Sequence, residues 1–140
     1  MLQLAIAGQP AFRVNELERD RPGPSFTAVT MEEVQKKYPE HEWFLLLGAD
    51  AVRDLPGWFQ PESIVAAAGL IVVGRPGVGL EVVEVLKAKL GPIAQLQIVQ
   101  SPLIEISSSD VRERVRLGRT MRYMVPRAVE TYIADKRLYV

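Results

Sequence analysis

Three short apolar runs, each ending in a glycine or a polar residue, constrain this chain more than any other feature. Trp43 to Leu47 reads WFLLL and stops at Gly48. Leu70 to Val73 reads LIVV and stops at Gly74, and Leu96 to Val99 (LQIV) is a weaker third case. Unbroken apolar runs of this length between polar loops predict strands buried on both faces, as in a parallel sheet. Helical stretches separate them, at about Pro61 to Ala68 and Leu80 to Leu90. Strand and helix in alternation predict an α/β fold, a parallel sheet with helices on both faces.

Around this core further elements are expected. Met1 to Ala7 reads as the end of an amphipathic helix stopped by Gly8 and Pro10. Phe12 to Leu17 alternates and predicts a short edge strand. Glu18 to Ser25 (ERDRPGPS) is a polar loop punctuated by Pro22, Gly23 and Pro24. A helix follows from Phe26 or Thr27 to Tyr38, with Glu32 and Glu33 in its N-terminal half. Two last helices run from about Ser108 to Leu117 and from Pro126 to about Asp135, Pro126 suiting the first position. The 140 residues fit a single domain.

Composition removes several classes of function. There are 17 Lys+Arg against 17 Asp+Glu, so neither a strongly basic nucleic-acid binder nor a polybasic membrane anchor is expected. With no Cys, disulfides, thiolate catalysis and Cys-based zinc sites are excluded, and one His excludes a His-rich metal site. No apolar run approaches the ~18 residues of a membrane span, and no basic-then-apolar leader opens the chain. A cytoplasmic protein is expected, and a homo-oligomer is compatible with it.

Ligands of parallel sheets bind at the carboxyl ends of the strands. The residues after each apolar run therefore matter most: Gly48 to Asp50, Gly74 to Pro76, and Ser101 to Ser109. Ile106 to Arg112 (ISSSDVR) sets three serines directly before a helix. Free N–H groups at a helix start, with hydroxyls and an arginine one turn along, make an anion site for which phosphate is the natural ligand. Plain N-capping by serine is the competing reading. Arg114 and Arg116 read as a solvated helical face, with Arg119 and Arg122 in the loop beyond. Asp50 is placed to accept from sugar hydroxyls or a ring N–H, or to cap the next short helix. Trp58 and Phe59, in LPGWF, can stack on a flat ring or cover the core. Ser25 reads as a helix cap, and Thr27 as a cap or a ligand contact. His41 sits in a polar loop with no second His and no ordered acid–base context, and reads as a surface residue. No Ser-His-Asp set, metal-ligand spacing or Walker loop is present.

Taken in order, RPGPSFT (Arg21 to Thr27), KKYPE, LLGADAV…LPGW (Leu46 to Trp58), VVGRPG (Val72 to Gly77), ISSSDVR and RYMVPRAVETYIADKRLY (Arg122 to Tyr139) resemble bacterial nicotinate-nucleotide adenylyltransferase, a family of the nucleotidyltransferase superfamily. The resemblance covers essentially the whole chain. It implies a Rossmann-like sheet and transfer of AMP from ATP to nicotinate mononucleotide, giving deamido-NAD and pyrophosphate, with Mg²⁺. It implies that Ser107, Ser108 and Arg112 bind the triphosphate. Gly48 and Asp50 lie near the ATP ribose and the dinucleotide, Thr27 beside the nicotinate carboxylate, and Trp58 on the pyridine ring. Phe59 stands where the family has a polar aromatic such as Tyr. Arg75 lies in a family motif without an assigned contact.

The family opens with a Gly-rich strand and loop, GGxFxPxHxGH, whose two His contact the ATP phosphates. Nothing in the 140 residues matches it. The resemblance therefore implies that about the first third of a normal chain precedes Met1, including a strand from the middle of the sheet. The 140 residues alone are expected to be poorly stable and nearly inactive. A non-catalytic nucleotide-binding module that kept the phosphate site is the alternative, and another nucleotidyltransferase specificity a third.

Overall fold

The computed structural model describes residues 1–74, 80–91, 93, 95–102 and 104–140, with the backbone alone at 80–82. Arg75, and with it the end of the VVGRPG motif, lies outside the described residues. Two compact units form, one of Leu17–Leu103 and one of Met1–Glu16 with Ile104–Val140.

The first unit holds the sheet. Strands β1 (Phe44–Gly48), β2 (Gly69–Gly74) and β3 (Leu96–Gln100) lie in the order β1-β2-β3, all parallel. Phe44 pairs with Gly69, and Leu70 with Leu96. Parallel neighbours need crossovers, and helices supply them. Helices α3 (Ala49–Asp54) and α4 (Pro61–Ala67), with a 3₁₀ turn at Leu55–Gly57, join β1 to β2; α5 (Leu80–Leu90) joins β2 to β3. Helix α2 (Thr27–Lys37) precedes the sheet and contacts α4. Because side chains alternate along a strand, Leu70 and Val72 share one face. They are fully buried in a core with Ala28, Val52, Leu55, Ile64 and Leu86, against which Leu45, Leu47 and Leu96 also pack.

Leu46 points the other way and is 64% exposed. The expectation that Trp43 to Leu47 is buried on both faces is thus corrected at that residue. The described core draws α2, α3, α4 and α5 to the face of Leu70 and Val72. Gly69 marks a close approach at the start of β2: an added Cβ would lie 2.6 Å from Phe44 Cε1 and 3.0 Å from Gln95 Cβ.

In the second unit, α1 (Leu2–Ala5), α6 (Ser108–Arg116) and α7 (Arg127–Asp135) surround Val111, Met121, Val129 and Ile133. Helix α1 is shorter than its pattern predicts, with Gly8 in the left-handed region at φ 87°. The strand expected over Phe12 to Leu17 does not form. The segment is irregular and Phe12 is largely exposed.

Candidate functional site

The carboxyl end of β1 passes straight into α3. Gly48 is the N-cap of that helix, and Asp50 falls in its first turn. Asp50 does not cap. Its carboxylate is 91% exposed and pairs with Arg53 Nη1 at 3.1 Å along the same helix. One of the two readings of Asp50, a helix cap, is therefore not realised, and the carboxylate stays open to solvent.

Beyond α3, the fully buried Leu55 anchors the 3₁₀ turn, and the Trp58 N–H donates to the Leu55 carbonyl at 3.0 Å. Trp58 packs against the core and also lines a cleft of about 400 Å³. Ser25, Phe26, Thr27, Gly57 and Phe59 complete the lining. Two stretches far apart in the chain are thus brought together, and three of the sequence-predicted residues, Thr27, Trp58 and Phe59, share one cleft. Gly48 and Asp50 are not among its lining residues.

The start of α2 explains why hydroxyls are available there. Its N-cap is Phe26, with no side-chain cap hydrogen bond, so the capping role expected of Ser25 is not realised. Ser25 and Thr27 face a cleft instead of serving the helix end. The loop before them is tied to α2. Arg21, nearly buried, donates to Glu33 Oε2 at 2.8 Å and to Thr30 Oγ1 at 3.0 Å. Thr30 Oγ1 in turn donates to Glu18.

In the second unit, Ser107 is the N-cap of α6, and its Oγ accepts from the Asp110 N–H at 3.0 Å. N-capping is therefore realised at Ser107. Ser108 is the first helical residue. Arg112 folds back over the first turn, where its Nη2 donates to Ser109 Oγ at 3.2 Å. Arg114 is held by Asp110 at 3.2 Å and Arg116 by Glu113 at 2.7 Å, consistent with a salt-bridged, solvated face. Hydrogen bonding to Arg116, followed by its charge, holds the Glu113 carboxyl below its ordinary value. Arg122 lies 5.4 Å from the centroid of the exposed Tyr123 ring.

His41 pairs with Glu40 at 3.0 Å just before β1 begins, at the end of the strand opposite Gly48 and Asp50. Among the described residues no three His, Cys, Asp or Glu gather to hold a metal ion. No described helix is long and apolar enough to cross a membrane.

The cytidylyltransferase-like family matches residues 1–114. A probable nicotinate-nucleotide adenylyltransferase of Thermus thermophilus is 44% identical over 139 residues, 99% of this chain and 70% of that protein. The chain belongs to the nicotinate-nucleotide adenylyltransferase family. The namesake from Thermomicrobium roseum is 39% identical over 99% of this chain and 65% of its own length. The chain spans about 60–70% of the length of the curated family members it matches. The fold is that of the family as well. Plasmodium falciparum nicotinic acid mononucleotide adenylyltransferase, solved in complex with APC, superposes with a TM-score of 0.66 at 18% identity, over 84% of this chain and 60% of that one. The same enzyme in complex with NaAD gives 0.64 at 19% identity, over 83% of this chain and 58% of that one.

Two features of the cleft escape sequence reasoning. Phe26 lines it and touches Phe59, and Gln60, just after Phe59, adopts a left-handed conformation at φ 49°. The only signal for Phe26 is its place between two hydroxyl residues, where a cap is the natural expectation.

Proposed function

We propose that the chain carries the mononucleotide and phosphate sites of an enzyme that transfers AMP from ATP to nicotinate mononucleotide, forming deamido-NAD and pyrophosphate. The observation that carries this reading is the cleft that unites Thr27 with Trp58. A flat aromatic beside a hydroxyl suits a pyridine ring bearing a carboxylate: the indole stacks on the ring and the hydroxyl donates to the carboxylate. The names of the relatives, and the NaAD complex of the Plasmodium enzyme, support the same substrate.

In the reaction a phosphate oxygen of the mononucleotide attacks the α-phosphorus of ATP. The new P–O bond forms as the bond to the bridging oxygen breaks, and pyrophosphate leaves with that electron pair. Such transfers are accelerated chiefly by positioning and by charge stabilisation. Trp58 and Thr27 fix the acceptor. Phe59 stands beside them in the cleft. Asp50, exposed at the end of β1, accepts from ribose hydroxyls, and the bare Gly48 lets the nucleotide approach the backbone. Ser107, Ser108 and Arg112 hold the β,γ-phosphates through N–H groups and the guanidinium.

Mg²⁺ would enter as an ion carried on the ATP phosphates, as is usual for that ion at nucleotide sites. Bound there, the ion neutralises phosphate charge. The single His of the chain lies before β1, at the end of the strand away from the carboxyl end where ligands of parallel sheets bind. The family's GGxFxPxHxGH loop has no counterpart in the 140 residues, so these residues by themselves should turn over at less than about a thousandth of the rate of a full-length relative.

The unmatched His loop fits equally a second reading, a nucleotide-binding module without catalysis. A pyrophosphate-release assay with ATP, Mg²⁺ and nicotinate mononucleotide, its product identified by mass spectrometry, separates the two. Slow formation of deamido-NAD supports the transferase. Binding of both ligands with no product supports the module. A product formed from CTP and another phosphate acceptor, with none from ATP, overturns the proposed substrates.

A further inference from the structure

We propose that Phe26 is a positioning residue: its ring, packed on Phe59, latches the segment after the 3₁₀ turn to the start of α2, so that Trp58 and Thr27 are held in one cleft. The inference rests on reading that cleft as the mononucleotide site. The two ring centroids are 4.6 Å apart with planes tilted by 35°, a favourable offset geometry for an aromatic pair. Both residues remain exposed, at 41% and 46%, so neither is committed to the core.

Each side of the contact carries a local cost. Phe26 occupies the N-cap of α2, where Ser, Thr, Asp or Asn would satisfy a free N–H, and the helix starts without any side-chain cap. On the other side, Gln60 takes φ 49° and ψ 58°, a left-handed conformation unfavourable for a residue with a Cβ. An aromatic in place of a cap and a strained turn directly behind Phe59 both serve to bring these rings together. Phe59 thus spends its ring on Phe26, and the segment it anchors is the one that presents Trp58.

The test uses the Trp43→Phe background, in which Trp58 is the only tryptophan of the two in the chain. That background is mild, because the Trp43 indole N–H is buried without a partner and its removal leaves no acceptor stranded. Phe26→Ala, Phe26→Tyr, Phe59→Ala and the Phe26→Ala/Phe59→Ala pair are compared. Two quantities are measured: acrylamide quenching of Trp58 without ligand, and titration with nicotinate mononucleotide.

Phe26→Ala should about double the quenching constant and weaken the mononucleotide about threefold to tenfold, with ATP affinity unchanged. Phe26→Tyr should restore both values, and the double variant should be no worse than either single one. Unchanged quenching in Phe26→Ala overturns the latch, as does an equal loss of ATP and mononucleotide affinity. Increased quenching in a protein that binds no mononucleotide upholds the latch and removes the substrate assigned to the cleft.

Discussion

Ser107→Ala and Arg112→Ala, made separately, pull apart two roles that one turn of α6 combines. Ser107 Oγ accepts the Asp110 N–H at 3.0 Å, so the substitution strands a donor at the helix start. An N-cap of this kind is worth about 1 kcal/mol. In a chain of this size that lowers the thermal midpoint by about 3–5 °C. Ser107→Gly should lower it by much less, because water and backbone freedom compensate at a glycine cap. Arg112 is different. Its contact with Ser109 Oγ, at 3.2 Å, is exposed, so its loss should leave the unliganded midpoint within about 2 °C. If its guanidinium holds phosphate, Arg112→Ala weakens ATP by roughly 1.5–3 kcal/mol, or about tenfold to 150-fold. Lysine should recover only part of this, since it lacks the planar fork. Scanning calorimetry without ligand and calorimetric titration of Mg·ATP provide the two readouts. An Arg112→Ala protein that binds ATP normally but melts far lower would refute the assignment and make Arg112 structural.

Three further outcomes follow from the described geometry. Gly69→Ala should destabilise the sheet by about 1–3 kcal/mol, because its Cβ would lie 2.6 Å from Phe44 Cε1 and the neighbouring ring must move; an unchanged urea midpoint contradicts this. Gln60→Gly should raise stability by up to about 1 kcal/mol by relieving the left-handed backbone, net of the entropy glycine adds to the unfolded chain; a lower midpoint would show that the Gln60 side chain matters more than its backbone. Hydrogen bonds from Lys36 and Arg116, with their charge, hold Glu32 and Glu113 below the ordinary value of 4.5. Groups depressed on folding stabilise above their unfolded value and lose that contribution as pH falls through the folded one. The midpoint difference between the parent and the Glu32→Gln/Glu113→Gln pair should be constant above about pH 5.5 and vanish in acid; a difference that grows in acid has the wrong sign.

The elements legible in the sequence are those set by local pattern. LIVV before Gly74 and the period of Leu80 to Leu90 need no partner to declare themselves, and β2 and α5 form where that pattern lies. The start of α6 is equally plain, since a serine before a helix needs only its own backbone as partner. What escapes is what depends on distant residues. Leu46 has the composition of a doubly buried strand, yet its exposure depends on what the rest of the fold lays over that face. Phe12 to Leu17 alternates like a strand, yet the folded chain leaves the segment irregular. At the cleft, Thr27 and Trp58 can be named from their motifs. That Phe26 displaces Ser25 as the cap and meets Phe59 follows from tertiary packing that no local window contains.

The central claim is that the cleft of Thr27, Trp58 and Phe59 takes nicotinate mononucleotide. Calorimetric titration of that ligand into the chain and into its Trp58→Ala variant tests it most directly. The account predicts saturable binding to the parent. It predicts a loss of about threefold to tenfold in the variant, the worth of one ring stacked on another, with Mg·ATP affinity unchanged. No saturable binding by the folded parent, or equal binding by a folded Trp58→Ala variant, would contradict it.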